Sequence, residues 1–560
     1  MYYPNTQQWS WQTSHFGSPT VFGLKDLINV WKAEKWTPDS LVKLYKDAGA
    51  QYFMTLGNHH DNFDLWNSPY QEWNSVNMGP KKDIVKGWSD ACNKYGLPFG
   101  VSIHASHAWT WLEPSQPYDG NLTKDDGYLP NNDGTEKWWK GYDPQELYAQ
   151  RHAHSTGWDN SGTIHSQWGW GNGASVPSDK YMMKFQNRVL QLINDYNPKM
   201  LYFDDTVLPF WGVTDSIGLN ILSDYYNHSA KQHNGEQQVV VMGKILDDNQ
   251  KNALLWDVER GIPDRPQKRH WQTCTCIGDW HYNQSVYNNN GYKSAAQVIR
   301  MLVDIVSKNG NLLLSVPVKA NGTIDDKEEA IVKGIGAWMN INKNSIYSTR
   351  PWKTFGEGPL AEAVNPMTAQ GFNENNNYSN QDIRYVQRND TVFATIMAWP
   401  SAGEYPLKSF AVTSPYYSGQ VNSVELLGYG KVNFRQDNDA LMIDIPASHP
   451  NDIAPVFQIT LGESLTAWNQ LQQLINVLDE KTNMLDSVAN YNTGKLSLQQ
   501  VSLLKIRVAE AKSISETAGE TVIKDEILKL TSAYHNLNSF VKAQLILLKI
   551  FCWRQVISLG

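Results

Sequence analysis

An α/β domain on a parallel sheet is the fold class this sequence predicts, as a (β/α)8-like barrel that is one strand short. Two observations predict it: short apolar runs recur through residues 1–345, and amphipathic helical stretches separate them. A third is the change of grammar further on. Strands punctuated by Gly, Pro and Asn imply an antiparallel β-sandwich over 346–463, and helical spacing from Ser464 implies a three-helix bundle over 464–545. An apolar tail, 546–560, has no assigned role.

The barrel runs, in order, are "QYFMTL" (51–56), "PFGVSIH" (98–104), "KMLYFD" (199–204), "QVVVMG" (238–243), "ALLWDVE" (253–259), "WQTCTC" (271–276) and "NLLLSVPV" (311–318). Several are almost continuously apolar, as parallel strands covered on both faces must be. Between them, "TPDSLVKLYKDAGA" (37–50) has Thr37 as N-cap and Gly49 near its end. "KKDIVKGWSDACNKYG" (81–96) and "SAAQVIRMLVDIVSKNG" (294–310) read as helices by the same logic. The strands number seven, where a closed barrel of this type has eight. The sandwich strands are "TVFATIMAWP" (391–400), "VNSVELLGYGKVNFRQ" (421–436), "ALMIDIP" (440–446) and "VFQITLG" (456–462). The bundle carries no cluster of catalytic residue types and reads as a spacer or surface module.

Composition narrows the function. A formal charge of −8 gives no electrostatic reason to bind nucleic acid or an anionic membrane. The 23 Trp and 27 Tyr supply flat apolar faces that suit the C–H faces of sugar rings. The cysteines, Cys92, Cys274, Cys276 and Cys552, form no C-x-x-C pair and no disulfide framework. No signal peptide is visible, and no apolar run of transmembrane length predicts membrane insertion.

A barrel carries its chemistry at the C-terminal ends of its strands. Those positions hold His59, His60 and Asp61; His104, with His107, Trp109 and Trp111 beyond; Asp204 and Asp205; Lys244; and Glu259, with Trp271 assigned to the same face. A metal centre is not expected, because adjacent histidines on an extended strand do not aim at one ion unless the chain bends sharply. Neither G-x-S-x-G nor a phosphate-binding Gly loop occurs where it would act, and no cofactor is expected. Carboxylates among aromatic groups are the equipment of glycoside hydrolysis. Glu259, after an apolar run, suits an acid/base role, whereas Asp204 and Asp205 point to opposite faces and composition does not choose between them.

"AGAQYFMTLGNHHDNFDLWNS", "KMLYFDDTVLPFW", "WDVERG", "WQTCTCIGDWHYN" and "LVDIVSKNGNLLLSVP", in this order, resemble the retaining α-L-fucosidases of glycoside hydrolase family 29. The resemblance covers about residues 20 to 360, and the helical region resembles bundle repeats of Gram-positive surface proteins. It implies Asp204 as nucleophile, Glu259 as acid/base, and His59 and His60 as a pair gripping fucose hydroxyls. Trp280 matches an aromatic residue packed on the sugar, and His104, Trp66, Tyr202 and Trp271 complete the expected substrate-binding set. Cys274 stands where close relatives carry a carboxylate. Family members begin their barrel with a strand ending in HWG and a loop containing EWY; here Met1 falls just after the place where EWY should end, and no HWG occurs in the sequence. The expectation is therefore an N-terminally truncated exo-fucosidase that is weakly active or inactive. Its partners would be fucosylated glycoconjugates, its location extracellular or cell-surface, with cell-wall association through the bundle. An α-L-galactoside hydrolase and a non-catalytic sugar-binding surface protein are the alternatives.

Overall fold

The computed structural model describes residues 3, 5–116, 134–160, 169–363, 371–374, 376–411, 414, 416–417, 420–437 and 439–462. In the C-terminal part it describes 468, 471–472, 474–476, 478–479, 482–483, 498–530 and 532–533. Seven parallel strands pair in chain order: β1 (Phe53–Asn58), β2 (Phe99–Ile103), β3 (Met200–Phe203), β4 (Val240–Gly243), β5 (Leu255–Glu259), β6 (Trp271–Cys276) and β7 (Gly310–Ser315). Each falls on one of the apolar runs. Every residue of β2, β3 and β6 is buried; β2 and β3 are largely apolar, while β6 also buries Gln272, Thr273 and Thr275.

Helices cover the outer face, and their starts follow local chemistry. The Asp83 carboxylate accepts from the Lys86 amide to open Ile84–Tyr95, which Gly96 closes in the left-handed region at φ 65°. Capping boxes at Ser294/Gln297 and Asp325/Glu328 open Ala295–Ser307 and Asp326–Asn342. Thr37 occupies the N-cap of Pro38–Asp47 without a side-chain bond, and Pro38 presets the first helical φ.

The helix layer closes around the sheet although the strand layer does not. Helix Asp326–Asn342 packs against the end of Pro38–Asp47, where a Cβ on Gly336 would meet the Ala48 Cα at 3.0 Å. The Tyr347 hydroxyl donates to the Gly49 carbonyl at the same junction. Yet β7 does not pair with β1, and among the described residues no strand precedes β1. A cavity of about 1300 Å³ runs between the two edges, floored by apolar helix residues such as Trp88, Leu302, Val306, Ile335 and Met339. Tyr52 spans it low down, its hydroxyl 3.0 Å from the Leu312 carbonyl and 3.1 Å from Gln272 Oε1.

The second domain pairs antiparallel throughout, with six strands in one sheet and three in the other. Trp352, Tyr385, Phe410, Leu441 and Phe457 share its core. It is locked to the barrel by a buried charge cluster: Asp304, from helix Ala295–Ser307, accepts from Arg384 and from Lys308. Burial opposes the Asp304 charge, but these two cations hold its carboxyl down at about 2. Further on, helix Leu498–Lys512 shares a buried cluster with Leu471, Ile475 and Leu478 on one side and Ile523 and Leu530 on the other. The tail at 546–560 lies outside the described residues, and no described helix is long and apolar enough to cross a membrane.

Candidate active site

The first wall is made by a bend. After Asn58 the chain leaves β1 and turns, with the Asn62 amide donating to the His59 carbonyl at 3.1 Å and Asn62 itself at φ 59°. The turn cancels the outward alternation of an extended strand, so the His59 and His60 rings sit 4.4 Å apart between centroids. His59 also stacks on His104 at 4.6 Å and meets His281 edge-on at 5.1 Å. A buried polar frame fixes the bend. Asn58 Oδ1 accepts from the His104 and Ala105 amides, and Asn58 Nδ2 donates to Asp64, which pairs with Arg188 at 2.5 Å. Arg188 also donates to Asn62 Oδ1 at 2.7 Å. Asp61 caps the turn instead of facing the cavity, accepting from the Phe63 amide. Burial, with His104 adding to it, lowers the pKa of both histidines, that of His60 to about 3.

β3 supplies the carboxylates, and its end separates them as the alternation of a strand requires. Asp204 turns into the cavity, where His104 Nε2 lies 3.2 Å from its Oδ2 and Lys244 pairs with its Oδ1. Asp205 turns away and is buried against Ser106 Oγ at 2.7 Å and His107 Nε2 at 2.8 Å. Burial would raise the Asp204 pKa, but Lys244 and then His104 outweigh it and hold the carboxyl well below the usual carboxylate range.

Glu259 ends β5, and its Oε2 accepts from Lys244 Nζ at 2.7 Å. One buried ammonium therefore touches both carboxylates. Two hydrogen-bond lengths bound their nearest oxygens to a separation of about 5.5 Å at most. The Glu259 backbone is buttressed by the second domain's leading segment. The Phe372 amide donates to the Glu259 carbonyl at 3.0 Å, and Gly371, at φ 103°, passes so close that a Cβ would lie 2.3 Å from that oxygen. Beside it, Glu374 binds Arg260 at 2.8 Å and Lys293 at 3.0 Å.

Beneath Asp204 runs a buried polar chain. The Tyr202 hydroxyl lies 3.4 Å from Asp204 Oδ1, 3.3 Å from Asp257 Oδ2 and 3.6 Å from Cys274 Sγ. Cys274 donates its thiol hydrogen to Asp257 at 3.1 Å, and Gln272 donates to the same carboxylate at 2.7 Å. Burial pushes the Asp257 carboxyl up to about 6 despite the opposing field of Lys244.

His59, His60, His104, Tyr202, Asp204, Glu259 and Trp280 all line the one cavity. Two expected sugar contacts do not. Trp66 is fully buried in the core, its indole N–H donating to Gln191 at 2.7 Å. Trp271 opens β6 rather than ending it, so it sits at the opposite end of the sheet, donating to the Lys308 carbonyl at 2.9 Å. Residues that the expected set omitted also line the cavity: Lys244, His281 and Trp111, the last tilted over His60 at 4.8 Å. Lys244 and Trp111 are among the strand-end positions of the sequence, but their contacts to Asp204, Glu259 and His60 emerge only in the fold. His281 follows Trp280 in a loop, outside those positions.

The chain matches the family described as Alpha-L-fucosidase over residues 1–344 and the Alpha-L-fucosidase C-terminal domain over 375–460. Plasma alpha-L-fucosidase of Homo sapiens is 22% identical over 82% of this chain and 80% of its own length. Tissue alpha-L-fucosidase of Mus musculus is 23% identical over 81% of this chain and 84% of its own. Among solved structures, an alpha-L-fucosidase superposes with a TM-score of 0.57 at 21% identity, covering 81% of this chain and 84% of its own. Thermotoga maritima alpha-fucosidase in complex with fucose superposes with a TM-score of 0.56 at 22% identity, over 82% and 86%.

Proposed function

The chain belongs to the α-L-fucosidase family, and from that premise we propose that it hydrolyses terminal α-L-fucosides of glycans with retention of configuration. One observation carries the mechanism: Lys244 touches both Asp204 and Glu259. The upper bound this sets on their nearest oxygens is compatible with the roughly 5–5.5 Å of retaining glycosidases and lies below the roughly 6.5–9.5 Å of inverting ones. Asp204, ionised by Lys244 and His104, attacks the anomeric carbon as the glycosidic bond breaks, and Glu259 gives its proton to the departing oxygen. In the second step Glu259 takes a proton from water, the water oxygen bonds to the anomeric carbon, and the Asp204 ester bond breaks. His59, His60 and His104 supply hydrogen bonds to ring hydroxyls, and Trp280 offers an apolar face. The protonated Glu259 requires Lys244 to turn wholly to Asp204 when substrate enters, which the shared contact permits.

Fucosylated glycoconjugates are the substrates this reading implies, and an extracellular or cell-surface location, with the C-terminal helices tethering the chain at a cell wall, would suit them. Aryl α-L-fucoside and aryl α-L-galactoside assayed side by side test it. Faster release from the fucoside is expected, and preference for the galactoside or release from neither would reject the assignment.

A further inference from the structure

The bend at the end of β1 brings together more than a sugar-binding wall. A ring nitrogen of His59, a ring nitrogen of His60 and a carboxylate oxygen of Asp204 lie within 4.8 Å of one another. Neighbouring ligand atoms on a tetrahedral Zn²⁺ are about 3.3 Å apart, from bonds of about 2.0–2.2 Å. Metal binding would need the His59 ring to shift to close that difference. The ring is only partly buried, and it is held by ring contacts with His60, His104 and His281. His60 is already oriented: its Nδ1 lies 3.1 Å from the His104 carbonyl, which fixes the N–H there and gives the lone pair to Nε2. Asp204 is oriented in turn by His104 Nε2 at 3.2 Å. Three protein ligands with the next position facing a cavity is an open, exchangeable coordination set.

We infer that His59, His60 and Asp204 form a binding site for a borderline divalent transition-metal ion, Zn²⁺ in particular, which occupies the pocket in place of the sugar and so inhibits. Lys244 opposes it, because its ammonium holds the same carboxylate. Zn²⁺ must displace that contact, which places its affinity well below that of a structural zinc site. The competition with sugar rests on the fucosidase reading of His59 and His60, whereas the metal site itself does not.

Calorimetric titration of the full chain with Zn²⁺ tests both parts. One ion per chain is expected for the wild type and for His228→Ala, a change on the outer helix Asp215–Gln232. His59→Ala and His60→Gln should each weaken binding by at least about 10–100-fold, and L-fucose should raise the apparent Kd in the wild type. Binding unchanged in both pocket variants overturns the site. Loss of binding in the variants without competition by L-fucose upholds the metal site and rejects the sugar reading. Should the variants fail to fold, Co²⁺ bound to the wild type decides. A spectrum of nitrogen and oxygen ligation supports the site, and a thiolate charge-transfer band assigns the ion to a cysteine and rejects it.

Discussion

Asp204 owes its charge to a contest between burial and two partners, and that contest sets the pH behaviour of the site. Its folded pKa is depressed, so the nucleophile is competent above that pKa and is lost as pH falls through it. Lys244→Met removes the larger of the two partners. The acid limb of the kcat/KM profile should then move to higher pH by about 1–3 units, read against wild type on an aryl α-L-fucoside. An unmoved limb would show that Lys244 does not govern the nucleophile. His60 runs the other way in chemistry but the same way in pH. It is held neutral in the fold at a pKa of about 3, while the unfolded chain takes up a proton near the ordinary 6.5. Its contribution is therefore full above about 6.5 and falls as pH drops towards 3, by a few kcal/mol at most. Denaturant titrations between pH 7 and pH 4 should show His60→Gln losing less stability than wild type over that window.

At the scale of elements, strands were legible and their ends only partly so. Strands buried throughout, such as β2 and β3, are largely apolar at successive positions and declared themselves in the sequence, while β1, β5 and β7 are only partly buried. Asp204 and Asp205 were separable in principle by alternation, but choosing between them needed the family motif. The convergence of His59 and His60 was not legible, because it depends on a turn fixed by Asn58, Asp64 and Arg188, the last more than a hundred residues away. Trp271 sits away from the site because it is the first residue of β6 and faces the far end of the sheet, a fact carried by chain direction and not by residue type. Trp66 lies in a loop whose inward direction no local pattern reveals. The segment 371–374, which buttresses Glu259 from the second domain, left no motif at all. Gly371→Ala tests that contact. The φ of 103° and the approach to the Glu259 carbonyl make the variant strained by about 1–3 kcal/mol. Thermal melts should report the loss, and kcat should fall more than KM changes if the shift reaches the acid/base residue. A variant with wild-type kcat would separate this segment from the chemistry.

The whole molecule presents a closed layer of helices around an open layer of strands. Among the described residues, β1 and β7 each keep one unpaired edge beside the cavity, which exposes backbone donors there. Amide exchange checks the open edges independently of activity. Every second amide of β1 and β7 should exchange fast, while those of β3, β4 and β5, each paired on both sides, stay protected. Uniform protection along β1 and β7 would mean that the edges are covered.

The assignment of Asp204 as the nucleophile of a retaining fucosidase is tested most directly by trapping. The full chain is incubated with 2-fluoro-fucosyl fluoride and its peptides are mapped by mass spectrometry. A single 2-fluorofucosyl adduct on Asp204 is the result expected here. An adduct on Glu259 or another carboxylate, or an unmodified chain that still releases fucose from an aryl fucoside, would contradict it.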